Sequence, residues 1–477
     1  MCKYAFNNAF NHLEPKLCLT LWIAAVFYAT YQFALASQNY FTNYHDYYED
    51  FTTGWSILNY PKKDKADFEW ETCSFYLKEI YPAVICYILI SEFCRQLKYK
   101  KIIQILYPLG YITYFMGYKI AFAALIQPIL FYLVKTKTNK LYVWLCNFIC
   151  LVLIAFYKNL SSNFSPNTAN QDVNHFKVFL STLLISWMNL KCTHFALNNS
   201  ISNVIDYLAY LFYFPTLFTG PFISYDEFKK CYNTRTYKQL DVRLEKLAEN
   251  LMRCLFWYIF VEFSLHYFYF NAAIFQLELI KKLSLCSLCG YGYLMGQFFH
   301  IKYIVLYGLS TSLASFENIP VPNLPRCIGR VHLYSDMWKY FDPGLHNFLK
   351  KSIFIPCQKS GLGKLNSSFL CFIFVFIWHG IEDYILIWAT LNFIGIALEH
   401  FAINKLPNRR LKTLFAAPLL AMSAVSNFYF FAGKDIGDVF ARKALTEPSV
   451  NIFLVLIALY CCCDVSTELR NVNAHKM

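Results

Sequence analysis

The sequence predicts an all-α, multi-pass membrane protein, and three observations carry that prediction. Of the 477 residues, 57% are hydrophobic and only 15% charged, whereas a water-soluble chain carries about 25% charged residues. The apolar residues gather in long runs, and a run of about 20 residues crosses a bilayer core as a helix. The basic residues fall in short clusters between runs, as in Arg95 to Lys101 and Lys135 to Lys140, which is the pattern of cytosolic loops. A soluble protein this apolar would expose adhesive patches. In a bilayer the same surfaces face lipid, and an aromatic content of 19% suits rings that are half in the headgroup layer.

The first run, Leu17 to Ala36, has the length of a spanning helix rather than of a short signal core. Further runs lie near 81–94, 102–134, 141–157, 176–197, 204–223, 251–276, 283–315, 369–400, 412–432 and 450–463. Some hold two passes or a re-entrant hairpin, which gives about ten to twelve membrane segments. Gly110 and Gly117 favour a bent pair within 102–134. The acidic stretch Asp46 to Asp50 lacks basic residues, whereas Arg95 to Lys101 is strongly basic. That contrast puts the N-terminus and Arg95 to Lys101 in the cytosol and loop 37–74 in the lumen. Lys62, Lys63 and Lys65 run against this, though they are interleaved with Asp64, Asp67 and Glu69. Loop 158–175, with sequons at Asn159 and Asn163, is then luminal. No internal repeat or low-complexity linker interrupts the chain, so one membrane domain covers residues 1–477.

The net charge of +13 is accounted for by the loop clusters, and no basic helix or RNA-binding signature points to nucleic acid. The 18 cysteines are scattered, without paired extracellular spacing or a CxxC…CxxC pattern, so neither a disulfide scaffold nor structural zinc is expected. Most read as small buried hydrophobes. Cys461, Cys462 and Cys463 end the last apolar run, a place that suits either S-acylation or burial.

Polar residues inside membrane runs are costly and mark function, and they are densest between Pro320 and Gly380. There PNLPRC (322–327) precedes SDMWKYFDPGLHNFL (335–349) and FIWHG (376–380). Asp342 and His346 are four apart and share a helix face. Asp342 followed by Pro343 also fits a helix N-cap, a role compatible with chemistry. His379 ends an apolar run; with an ordinary pKa near 6.5 such a histidine is a base at neutral pH. Taken alone it fits equally a hydrogen bond between helices.

MWKYFDPGLHNFL, followed by an apolar run closing in WHG, resembles the membrane-bound O-acyltransferase family and, within it, the hedgehog acyltransferase branch. KKDKADFEW (62–70), YFPTLFTGPFISYDEF (213–228), LPRC (324–327) and SNFYFFAGKD (426–435) belong to the same ordered likeness, and the core motifs lie at about 320–435. The resemblance implies helices around a central tunnel in the endoplasmic reticulum membrane, or the Golgi. Acyl-CoA enters that tunnel from the cytosol and meets an acceptor from the lumen. In the hedgehog branch palmitoyl-CoA donates palmitate to the N-terminal cysteine amine of a secreted signalling protein. The family's histidine falls on His379 and its acidic partner on Asp342. The resemblance also implies haem b ligated by Cys327 and a reaction centre near Asn427; taken alone, the first fits a plain buried cysteine and the second a contact between helices. His346 is a candidate for reaction-centre support, though a hydrogen bond to a neighbouring backbone carbonyl fits it better. Pro343 stands where the branch has a valine-like residue, and Lys339 where it has arginine, which removes a planar fork for phosphate.

The chemistry agrees. A thioester is already activated, so the enzyme supplies a deprotonated acceptor and an aligned carbonyl; an α-amino group titrates near 8. His379 takes the proton, and Asp342 holds the ammonium or orients the acceptor. Trp338, Arg326, Arg330, Lys339, Lys350 and Lys351 are the candidates for acyl-CoA, its phosphates needing cations; the basic ones also suit headgroup anchoring. Two alternatives stand beside N-palmitoylation. One keeps the fold but acylates a Wnt-like serine, a peptide hormone or a lysophospholipid. The other is a catalytically silent regulator, which has no reason to keep His379.

Overall fold

In the computed structural model, the described residues are 13–42, 49–58, 62–136, 139–163, 171–198, 203–232, 239–402 and 405–474. Part of the acidic stretch Asp46 to Asp50 and residues 164–170 of loop 158–175 lie outside them. The described chain is mostly helical and has one short ribbon, in which β1 (Phe51–Thr53) pairs antiparallel with β2 (Lys62–Asp64). In chain order the helices are α1 (Leu13–Tyr40), α2 (Phe68–Phe93), α3 (Lys100–Met116), α4 (Tyr118–Lys135), α5 (Leu141–Asn163) and α6 (Gln171–Leu197). Then come α7 (Val204–Leu211), α8 (Tyr225–Tyr232), α9 (Leu240–Ser264), α10 (Leu277–Lys282), α11 (Leu285–Phe316) and α12 (Tyr334–Tyr340). The last six are α13 (Pro343–Leu349), α14 (Ile355–Lys359), α15 (Lys364–His379), α16 (Asp383–Phe401), α17 (Arg409–Thr446) and α18 (Ser449–Ala474).

Among the described residues, seven helices are long and apolar enough to cross a membrane, and α15 is a shorter apolar helix. Their outer faces confirm the solvent. On α2, Tyr81, Ile85 and Leu89 form an exposed stripe at helical spacing, while Ile80, Val84 and Tyr87 are buried. Such a stripe is stable only against lipid. α11 is the central element, packed along α1, α9 and α17 and buried over much of its length.

The runs divide much as their glycines indicate. The 102–134 run is a pair, α3 and α4, broken at Gly117 and not at Gly110, which stays helical. The 369–400 run is the hairpin α15–α16. The 283–315 run stays one helix. The 204–223 run departs from expectation: only α7 and a short turn are helical, and the rest is irregular chain buried in the core. Its backbone polar groups have protein partners, as where Tyr210 donates to Ile223 O at 2.7 Å, so irregular chain is tolerated there. α5 runs on to Asn163, so both sequon asparagines are in helix rather than loop. Cys461, Cys462 and Cys463 are all buried, which decides between the two readings in favour of packing.

Two basic residues of the first loop are engaged by the protein. Lys62 is buried, donates to Phe41 O and lies 4.9 Å over the Tyr269 ring. Lys63 pairs with Glu262 at 2.8 Å. Neither therefore opposes the sidedness read from the charge clusters.

Candidate active site

Asp342 is placed by the turn between α12 and α13. It caps α13: Oδ1 accepts the Leu345 N–H at 2.8 Å, with Pro343 in the first turn. Capping occupies one oxygen, and Tyr307 of α11 donates its hydroxyl to the other, Oδ2, at 2.8 Å. Both oxygens thus have a donor, and the carboxylate plane is fixed.

His379 is the last residue of α15. Gly380 follows with φ 124°, a conformation that side-chain-bearing residues rarely adopt, and the chain turns directly into α16. Aromatic edges surround the imidazole: Trp378 at 4.9 Å, Phe430 at 5.4 Å and Trp388 at 5.6 Å between ring centroids. As a residue His379 is exposed at the protein surface. Asp342 is half-buried.

Aromatic packing connects the two residues. Tyr307 meets Trp187 of α6 at 6.4 Å, and Trp187 meets Trp378 at 5.8 Å. Trp338 packs on the imidazole's neighbour Trp388, 5.5 Å between rings, and its indole N–H donates to Asn392 Oδ1 at 3.1 Å. Asn427, half-buried on α17, lies nearly one turn before Phe430, the residue that edges onto His379.

The cation candidates separate. Arg326 lies 3.6 Å over the Tyr340 ring and Lys339 lies 4.9 Å from it, so these two form one group. Lys350, Lys339 and Arg330 are exposed. Lys351 does not stand with them: it pairs with Glu227 of α8 at 3.0 Å, and its charge is committed there. His346, one turn beyond Asp342, has Lys350 and Lys339 as its neighbouring charges, which puts it on the cation side of α13.

Cys327 precedes a short turn (Ile328–Arg330), half-buried, with its sulfur 3.7 Å from the Gln297 amide. Among the described residues no group of three or more His, Cys, Asp or Glu is placed to hold a metal ion. A thiolate-ligated haem needs only one such residue, and a half-accessible thiol beside a neutral amide fits that donor type.

A second polar cluster was not anticipated from the sequence. Lys302 of α11, buried, lies 2.6 Å from Glu69 and 3.2 Å from Asp67, which caps α2. Glu69 also accepts from the Tyr303 hydroxyl at 3.1 Å. Lysine inside the 283–315 run and asparagine inside the 369–400 run were the signals available, because such residues need partners in a membrane.

The sequence profile described as "MBOAT, membrane-bound O-acyltransferase family" matches residues 129–436. The chain belongs to the membrane-bound O-acyltransferase family. It is 29% identical over 446 residues to protein-cysteine N-palmitoyltransferase Rasp of Drosophila melanogaster, covering 86% of each chain. To protein-cysteine N-palmitoyltransferase HHAT of Mus musculus it is 30% identical over 275 residues, 53% of this chain and 55% of the other. It is 25% identical to membrane-bound O-acyltransferase GUP1 of Millerozyma farinosa over 302 residues, 57% of this chain and 56% of that one. Within the profile's span lie Cys327, Asp342, His379 and Asn427. This O-acyltransferase family member is thus a multi-pass membrane acyltransferase.

Proposed function

We propose that this acyltransferase moves palmitate from palmitoyl-CoA to the N-terminal cysteine amine of a secreted, hedgehog-type signalling protein in the endoplasmic reticulum. The observation that carries this is the aromatic packing that links the two residues, from Asp342 through Tyr307, Trp187 and Trp378 to His379, with Trp388 and Phe430 also edging onto the imidazole. Apolar walls accept an acyl chain and exclude the water that would hydrolyse a thioester. The amine nitrogen attacks the thioester carbonyl, the new C–N bond forms, and the C–S bond breaks with CoA leaving as thiolate. His379 takes the proton that the nitrogen loses. Asp342, held by Tyr307 and the α13 cap, orients the acceptor's amino group.

The donor's phosphates meet Arg326 and Lys339, with Lys350 and Arg330 nearby in sequence. Two relatives named as protein-cysteine N-palmitoyltransferases, one matched along most of both chains, support the amine acceptor over a serine, peptide-hormone or lysophospholipid acceptor. The presence of His379 opposes the silent-regulator reading. Cys327 is proposed as the ligand of a haem b, which would supply a bound iron porphyrin next to α11; no step of the transfer runs through it.

The test is metabolic labelling with alkynyl palmitate in cells with and without the protein. The expected result is loss of label from a secreted protein whose label resists hydroxylamine, because an amide resists it and a thioester or oxygen ester is cleaved. If every label that depends on this protein is released by hydroxylamine, the acceptor is not an amine.

A further inference from the structure

Asp342 has one oxygen in a helix cap and the other on Tyr307. A cap alone leaves a carboxylate free to rotate about its last torsion, which is broad. We propose that Tyr307 is a positioning residue for the transfer reaction, its hydroxyl holding the Asp342 carboxylate in the orientation that receives the acceptor. The inference rests on the reading of Asp342 given above.

Three features make Tyr307 suited to this. Its ring is 2% exposed and fixed between Trp187 and Tyr303, whose centroids are 6.4 Å and 5.2 Å away. Its backbone is fixed too, because the next residue, Gly308, is pressed against α9: a Cβ there would fall 2.3 Å from Cys254 Sγ. The neighbouring tyrosine does not compete for Asp342, since the Tyr303 hydroxyl is turned to Glu69. Two tyrosines one turn apart on α11 therefore hold two different carboxylates. Through Trp187 the same Tyr307 ring touches the wall beside His379, so one side chain sets the carboxylate and braces the histidine's neighbour. A rigid donor on a buried helix is the arrangement that holds a functional group to within a fraction of an ångström.

The test uses the full-length protein in detergent with palmitoyl-CoA and a peptide beginning with cysteine. Tyr307→Phe keeps the ring and its packing and removes only the donor. Its kcat is expected to fall about ten- to a hundredfold, the scale of one hydrogen bond to a charged group, with the KM for palmitoyl-CoA unchanged. Added to Asp342→Asn, it is expected to cost nothing further, since the two act as one unit. An unchanged kcat for Tyr307→Phe beside an impaired Asp342→Asn overturns the positioning role and leaves the Asp342 reading intact. A fully active Asp342→Asn sinks that reading, and this inference with it. A raised KM with unchanged kcat overturns it as well, because Tyr307 would then line the donor site. Should Tyr307→Phe not yield folded protein, 3-fluorotyrosine at 307 keeps the shape and strengthens the donor; a shifted kcat supports the role and an unshifted one overturns it.

Discussion

Gly220 lies so close to Trp187 that a Cβ built on it would fall 2.7 Å from Cζ2 of the indole. Its φ of 76° is also one that L side chains rarely adopt. The segment it belongs to is wedged on both sides, because a Cβ on Gly344 would come within 2.9 Å of the Phe222 backbone. The TGPF stretch (219–222) thus sets the spacing between the Trp187 wall and the turn that carries Asp342.

Gly220→Ala is therefore expected to cost about 1–2 kcal/mol for the backbone and about 1–3 kcal/mol for overpacking. Thermal unfolding of the detergent-solubilised protein measures this as a lowered midpoint. Trp187→Phe in the same background should recover part of the loss, by relieving the contact while leaving the dihedral. An unchanged midpoint for Gly220→Ala would mean that the wedge does not constrain the site.

Lys302 gives a second expected outcome. It is buried between Asp67 and Glu69, and removing one partner of a buried ion pair costs about 3–5 kcal/mol because the other charge is left without compensation. Lys302→Met should sharply lower the yield of folded protein. Combining it with Asp67→Asn and Glu69→Gln removes the orphaned charges and keeps a cap on α2, so folded yield should return. If the triple variant is no better than Lys302→Met, the pairing is not what the lysine contributes.

These two clusters show what the sequence makes legible. Composition and run length sufficed for the class, and the split at Gly117 and the Asp342 cap followed from local rules about glycine and proline. Asp342 and His379 stood out because each is a polar residue closing or interrupting apolar sequence. Tyr307, Trp187, Trp388 and Phe430 did not, since an aromatic inside a membrane run has the same local signature whether it faces lipid or a reaction centre. The polar residues of KKDKADFEW were visible, but their partners, Glu262, Asn271, Ala272 and Lys302, are about 200 residues or more away. Only tertiary structure supplies such pairings. Lys351 was grouped with the other cations for the same reason: nothing local shows that Glu227 holds it.

Cys327 provides the third. Purified protein is expected to show a Soret band that Cys327→Ala abolishes, because the thiol is the ligand proposed for the iron. A ligand bound only by the folded state also stabilises it, so the variant should be less stable in the presence of haem and unchanged in its absence. A Soret band that persists in Cys327→Ala removes this cysteine as the ligand.

The last expected outcome bears on the acceptor. General-base assistance contributes about 10²–10⁴-fold, and His379 is the base candidate, edged by Trp378, Trp388 and Phe430. His379→Ala should lower transfer to a peptide beginning with cysteine by about that order, while palmitoyl-CoA still binds, since Arg326 and Lys339 are untouched. Asp342→Asn keeps the shape and one oxygen for the α13 cap but removes the charge and the oxygen that accepts from Tyr307, so transfer should fall as well and respond less to the acceptor's free amine. Acetylating that amine should stop the wild-type reaction. Replacing the cysteine thiol by a hydroxyl should not, because the nucleophilic nitrogen remains and an amide still forms. An acetylated peptide acylated as well as the free one would transfer the reaction to a hydroxyl or thiol. His379 would then serve as the base for that group, and Asp342 would have no ammonium to hold.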